Sequence, residues 1–153
     1  MKCQAQTPVR ADAIASSLNR RHRLTLTTHM TPNNVVDLKS FVPARDFSLA
    51  KRFYLDLGFT ENWGNDQVSE LQLGGHRFLL QNFYVKAHAE NFMMHLMVED
   101  ADAWWAHIQA VGLVEKYDLH MAKPPALQPW GLRVLYLADP TGVLWHIADR
   151  PES

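Results

Sequence analysis

The chain has 153 residues, 47% hydrophobic and 20% charged, with a formal net charge of −1. That length fits one domain or two small fused modules, and such a composition can bury a core without metal or disulfide staples. The single cysteine, Cys3, excludes an intrachain disulfide and fits a reducing, cytoplasmic setting. The near-neutral charge lacks the basic excess of a nucleic-acid binder, and no apolar run approaches the roughly 20 residues that cross a bilayer.

The charge is unevenly spread. Residues 1–33 carry five basic side chains against Asp12 alone, whereas the other 120 carry ten basic and fifteen acidic ones. The first 33 residues read as a flexible basic tail, with Met30 as an alternative start. A mildly acidic folded domain is expected over 34–150.

From residue 34 the pattern becomes regular. Val36, Leu38 and Val42 share one parity and predict a strand over 35–42. Asp46 stands where a helix cap is needed. Leu49, Ala50, Phe53, Tyr54 and Leu57 then recur at three- and four-residue steps, and Gly58 is placed to end the helix. Strands are predicted over 59–63, 67–73 and 76–83, separated by Gly64-Asn65-Asp66 and Gly74-Gly75 turns.

The pattern then repeats. A strand over 92–98 leads to Asp100 as a cap, a stripe of Trp104, Ile108 and Val111, and Gly112 as the stop. Cap, stripe and stop all recur at one offset, with Asp46 matching Asp100 and Gly58 matching Gly112. The second copy continues with a predicted strand over 114–119, a proline-rich loop over 123–129, and strands over 132–138 and 143–148. Asp139-Pro140-Thr141-Gly142 is the turn between the last two. The expected fold is α+β: two tandem βαβββ modules, 35–84 and 91–149, whose sheets form a concave, partly closed cavity with helices outside. On the helices Trp104 is expected in the core and Trp105 on the surface. His22, His29 and His88 read as solvated loop residues.

Arg45-Asp46, Lys51-Arg52-Phe53-Tyr54 and Leu57-Gly58-Phe59 resemble the first helix of the vicinal oxygen chelate superfamily. Trp130-Gly131-Leu132-Arg133 and Asp139-Pro140-Thr141-Gly142-Val143-Leu144-Trp145-His146 resemble its C-terminal signature. The superfamily includes glyoxalase I, extradiol dioxygenases, and fosfomycin- and bleomycin-resistance proteins. The likeness covers about residues 35–150 and says little about which activity is present, because one fold hosts several.

Metal-dependent members place one ligand on each of four strands, typically His or Gln, Glu, His and Glu. The resemblance puts those positions at Lys39, Gln81 (or its neighbour Leu80), Met93 and His146. A protonated lysine repels a cation, a thioether is soft, and no carboxylate remains to neutralise a dication. His146 in the last position is the type associated with the metal-free bleomycin-resistance branch. One rescue stays open: His95 shares a strand face with Met93 and could join His146 and Gln81 as ligands.

Strand parity assigns the cavity wall to Lys39, Phe41, Leu79, Gln81, Phe83, Met93, His95, Met97, Leu144, His146 and Ala148, with Trp130 closing a loop over the mouth. An apolar and aromatic wall with a few polar groups suits a small molecule, and the polar quartet Lys39, Gln81, His95 and His146 is costly to bury unused. The candidate ligand-binding residues are Lys39, Phe41, Gln81, Phe83, Met93, His95, Trp130 and His146. The leading expectation is a metal-independent small-molecule-binding protein that sequesters its ligand, with no metal, no cofactor and no catalytic residue. By resemblance it would be a homodimer. The alternatives are a glyoxalase-like lyase or dioxygenase with a non-standard metal site, a metal-free enzyme using His146 or His95 as base, and an interaction module with an occluded cavity.

Overall fold

A computed structural model describes residues 35–151. The expected tail over 1–33, with Cys3, His22, His29 and Met30, lies outside the described residues.

The first module opens with β1 (Phe41–Pro43), followed by α1 (Phe47–Leu57), β2 (Thr60–Gly64), β3 (Val68–Leu73) and β4 (His76–Gln81). The Asp46 carboxylate accepts from the Leu49 amide at 2.9 Å and caps α1. Gly58 ends that helix at φ 117°, in the left-handed region that L side chains avoid. The Asn65 side-chain oxygen closes the β2–β3 turn by accepting from the Gln67 and Val68 amides.

A short helix, α2 (Lys86–Ala89), joins the modules and carries exposed His88, which was expected in a loop. The second module runs β5 (Met93–Met97), α3 (Ala101–Val111), α4 (Leu113–Tyr117), β6 (Ala122–Leu127), β7 (Arg133–Ala138) and β8 (Leu144–Asp149). Asp100 caps α3 through the Ala103 amide, and Gly112 stops it at φ 68°.

The strands form two four-stranded sheets, ordered β1-β4-β3-β2 and β5-β8-β7-β6. In each, the leading strand runs parallel to the last strand of its module and the other pairings are antiparallel. The helices cover one face of each sheet. The architecture is thus the expected α+β duplication, with sheets that do not close into a barrel. The edges β1 and β5 adjoin: Ser40 Oγ lies 3.7 Å from Met94 Sδ, and these residues are repeat equivalents.

Three expectations need correction at the level of elements. The first strand is shorter than 35–42, because Val36 and Leu38 find no face to cover them and remain almost fully exposed. The segment 114–119 is mainly helical, not a strand. Leu113 and Tyr117, four residues apart, both bury on the core, so the helical period prevails over the β-like composition. The stretch 123–129 is largely strand rather than loop. Pro124 and Pro125 sit where the β6–β7 register shifts between Lys123 and Ala126, at a sheet edge that tolerates residues without an amide proton. Trp104 is half-buried against the core as expected in kind, and Trp105, expected on the surface, packs there too.

One hydrophobic core serves both modules. Tyr54 of α1, Phe59 and Phe78 of the first module surround Trp145 of β8, with ring centroids 5.7–5.8 Å from it. The Tyr54 hydroxyl donates to buried Asp139 at 2.7 Å and accepts from the Trp145 indole at 3.1 Å. The other Asp139 oxygen accepts from the backbone amides of Thr141, Gly142 and Val143. The Asp-Pro turn is therefore tied to the helix of the opposite module by a satisfied buried network.

Candidate functional site

The candidate residues divide between the two sheet faces that turn away from the helices. On the first sheet, register places Phe41 opposite Leu79, Leu79 opposite Glu70, and Pro43 opposite Gln81. Lys39 stands just before β1. Its ammonium pairs with Glu70, and with Asp37 at 3.0 Å. Glu70 also accepts from the Asn62 amide at 3.0 Å, and Asn62 in turn donates to Gln72. Bonding to Lys39, then to Asn62, holds the Glu70 carboxyl below its usual range, and Lys39 is raised in turn, chiefly by Glu70. Lys39 is thus engaged as an ammonium in an ionic network on this face.

On the second sheet, Met93, His95 and Met97 alternate along β5 and face outward. They pair in register with Leu144, His146 and Ala148 of β8, and Tyr136 of β7 lies on the far side of His146. The His95 and His146 ring centroids are 6.5 Å apart, and the Tyr136 ring meets the His146 ring edge-on at 4.7 Å. Burial pushes the His146 imidazole below its usual value, and the neighbouring His95 adds to the shift. His146 is accordingly a neutral imidazole near pH 7, able to donate from one nitrogen and accept at the other.

Sequence parity therefore brings Met93, His95 and His146 into one group, and Lys39, Phe41 and Gln81 onto one face. No hydrogen bond or ion pair joins the two groups among the described residues. Phe83 lies beyond the end of β4 and is 51% exposed. Trp130, 59% exposed, stands on the β6–β7 turn, where Gly131 takes φ 88° and donates to the Gln128 carbonyl at 2.9 Å. A cavity of about 290 Å³ opens between the modules and is shared with the second group: His95 and Met97 line it together with Phe59, Arg77, Phe78 and Trp145.

Sequence reasoning missed Glu70, Asn62, Asp37 and Tyr136. Parity could have found two of them. Leu71 faces the helices, so Glu70 must face away; Leu135 and Leu137 bury, so Tyr136 must turn toward His146. The Asn62 contact depends on how the strands associate, whereas Asp37 stands two residues before Lys39 in the same segment.

The four residues that the resemblance puts at metal-ligand positions, Lys39, Gln81, Met93 and His146, lack the chemistry of a hard divalent ion's ligand set. Lys39 is charged and engaged by carboxylates, Met93 offers sulfur, and neither His146 nor Gln81 brings a negative charge. Among the described residues no three His, Cys, Asp or Glu side chains gather closely enough to hold a metal. The alternative trio of His95, His146 and Gln81 is not assembled by a shared strand pairing, since Gln81 belongs to the first sheet.

The model for the Glyoxalase/Bleomycin resistance protein/Dioxygenase superfamily matches residues 31–147. No curated protein matches the sequence significantly. Among solved structures, a bleomycin-binding protein complexed with bleomycin superposes with a TM-score of 0.64 at 22% identity, covering 76% of this chain and 99% of the other. TnmS3, an antibiotic binding protein from Streptomyces sp. CB03234, gives 0.61 at 21% identity, covering 76% and 98%. Lactoylglutathione lyase from Agrobacterium tumefaciens gives 0.56 at 16% identity, covering 75% and 94%. At these identities the likeness establishes the shared fold.

Proposed function

Because the chain belongs to the Glyoxalase/Bleomycin resistance protein/Dioxygenase superfamily, we propose that it binds a small organic molecule without a divalent ion and acts by sequestering it. The observation that carries this reading is the Lys39–Glu70 ion pair, which places a neutralised charge pair where a catalytic divalent ion would need a ligand. The walls around it favour a ligand with apolar surface: Phe41, Phe83, Met93 and Met97 are all between 45% and 64% exposed. Gln81 and neutral His146 supply the few orienting polar groups. Lys39, Phe41, Gln81, Phe83, Met93, His95, Trp130 and His146 are the proposed contacts.

The same exposure supports a homodimer. Apolar side chains left open on both sheet faces would be covered if a second copy laid one sheet against the other and completed a groove between chains. The lyase or dioxygenase reading requires a divalent ion among Lys39, Gln81, Met93 and His146, and the engaged ammonium opposes it. The proposal of a cytoplasmic location rests on the sequence composition; separately, no described helix is long and apolar enough to cross a membrane.

Bleomycin is the first probe, because structural neighbours bind it. Titration of the full chain while sedimentation velocity follows its mass should show a two-chain species that takes up the drug. Trp130→Ala should weaken that uptake by about tenfold or more, as loss of a stacked aromatic does. If bleomycin and a broader thermal-shift library all leave the melting temperature unmoved, the binding reading fails.

A further inference from the structure

We propose that Met93, His95, Met97 and His146 form a site for a soft monovalent metal ion, Cu(I) or its analogue Ag(I), on the open face of the second sheet. This goes beyond capture of an organic molecule and does not depend on which molecule that is.

The argument begins with strand geometry. Alternate residues of β5 project to one side, so the order thioether, imidazole, thioether is laid out along one edge of the face, with roughly 6.7 Å between successive side-chain origins. Methionine has three rotatable bonds, and its sulfur can swing over a neighbour two residues away. The central imidazole, His95, lies in register with His146 on β8, and their rings are 6.5 Å apart. Four donors, two sulfur and two nitrogen, thus surround one patch of sheet.

The chemistry of the surroundings selects the ion. The other residues of this face on β7 and β8 are Val134, Tyr136, Ala138, Leu144 and Ala148, none of them charged at neutral pH, and the charged side chains that adjoin it are cations: Lys123 opposite Tyr136 on β6, and Arg77, which lines a cavity with His95 and Met97. A hard dication would find no carboxylate to offset its charge, whereas a soft monovalent ion prefers neutral thioether and imidazole donors. The donors are also accessible: Met93 is 64% and Met97 45% exposed, and His95 is exposed. Met94 and Leu96, on the same strand, face the core side and are half-buried against it, so the alternate residues Met93, His95 and Met97 are the exposed ones.

The test uses the full chain carrying Cys3→Ser, so that the thiol does not compete. Anaerobic Cu(I) is titrated against bicinchoninate, which reports the ion it loses. The expected result is one Cu(I) removed per chain, with Ag(I) shifting the methyl resonances of Met93 and Met97. Met93→Leu with Met97→Leu keeps the apolar volume at exposed positions. It should weaken binding by more than the roughly 10–100-fold that loss of an outer-shell partner costs, with an unchanged melting temperature. No transfer of Cu(I) from the indicator, transfer unaffected by the double substitution, or equal competition by Zn(II) would each overturn the assignment. Bleomycin uptake is measured separately, so either result can stand without the other.

Discussion

At Lys39 a single side chain decides which chemistry the first sheet can support. As a residue type it could hold an anion, repel a metal or point to solvent. The fold places Glu70 and Asp37 beside it and commits it to an ion-pair network. That network has a pH signature. The Glu70 and Asp37 carboxyls titrate below their ordinary values of 4.5 and 3.8, both chiefly through bonding to Lys39. As pH falls, the unfolded chain takes up protons first. The stabilisation is therefore whole above about pH 4.5 and is lost as pH drops through the lower folded-state values. Raising of the Lys39 ammonium above its ordinary 10.5 confines its own loss to strongly alkaline solution. Glu70→Gln should flatten the fall in urea midpoint between pH 6 and pH 3. An unchanged slope in that variant would remove the pair from the account. Asp37 is a local partner, two residues before Lys39; the pairing with Glu70 was not legible, because it joins the segment before β1 to β3.

At the scale of elements, the signals that succeeded were local ones. Asp46 and Asp100 cap the helices, and Gly58 and Gly112 stop them, because a free amide or a positive φ within one turn demands those residue types. Gly58 gives a clean measurement. A Cβ added there meets nothing within 4 Å, so Gly58→Ala should cost only the backbone penalty of φ 117°, about 1–2 kcal/mol. Equilibrium denaturation would show it as a lower midpoint with an unchanged slope, and a neutral result would mean the helix end relaxes freely. The failures were the length of β1, and β6 and α4. Two prolines look like a loop until a sheet edge and a register shift accommodate them. Val114 to Leu119 looks like a strand until Leu113 and Tyr117 reach the same core.

At the scale of the molecule, the modules are joined through Trp145. Its ring contacts Tyr54, Phe59 and Phe78, and its indole donates to the Tyr54 hydroxyl that holds Asp139. The modules should therefore unfold together. Trp145→Ala should cost about 3–5 kcal/mol, since a buried ring is lost and a cavity remains. The wild-type protein should show one transition, coincident by circular dichroism and by fluorescence. Two separate transitions would mean that the shared core does not couple the halves. This joint also explains why the open faces matter: with the helix sides taken up in one core, the other face of each sheet is what remains for a ligand or a second copy.

The sequence by itself determined the duplication, the helix caps and stops, and the shared parity of Met93, His95 and His146. These follow from periods of two and 3.6 residues and from turn chemistry, which act over a few neighbouring residues. Only the tertiary structure decided that Lys39 is paired with Glu70, that Tyr136 abuts His146, and that Trp145 welds the halves together. Each of those contacts joins different strands or modules, and strand association and packing alone bring such groups within reach.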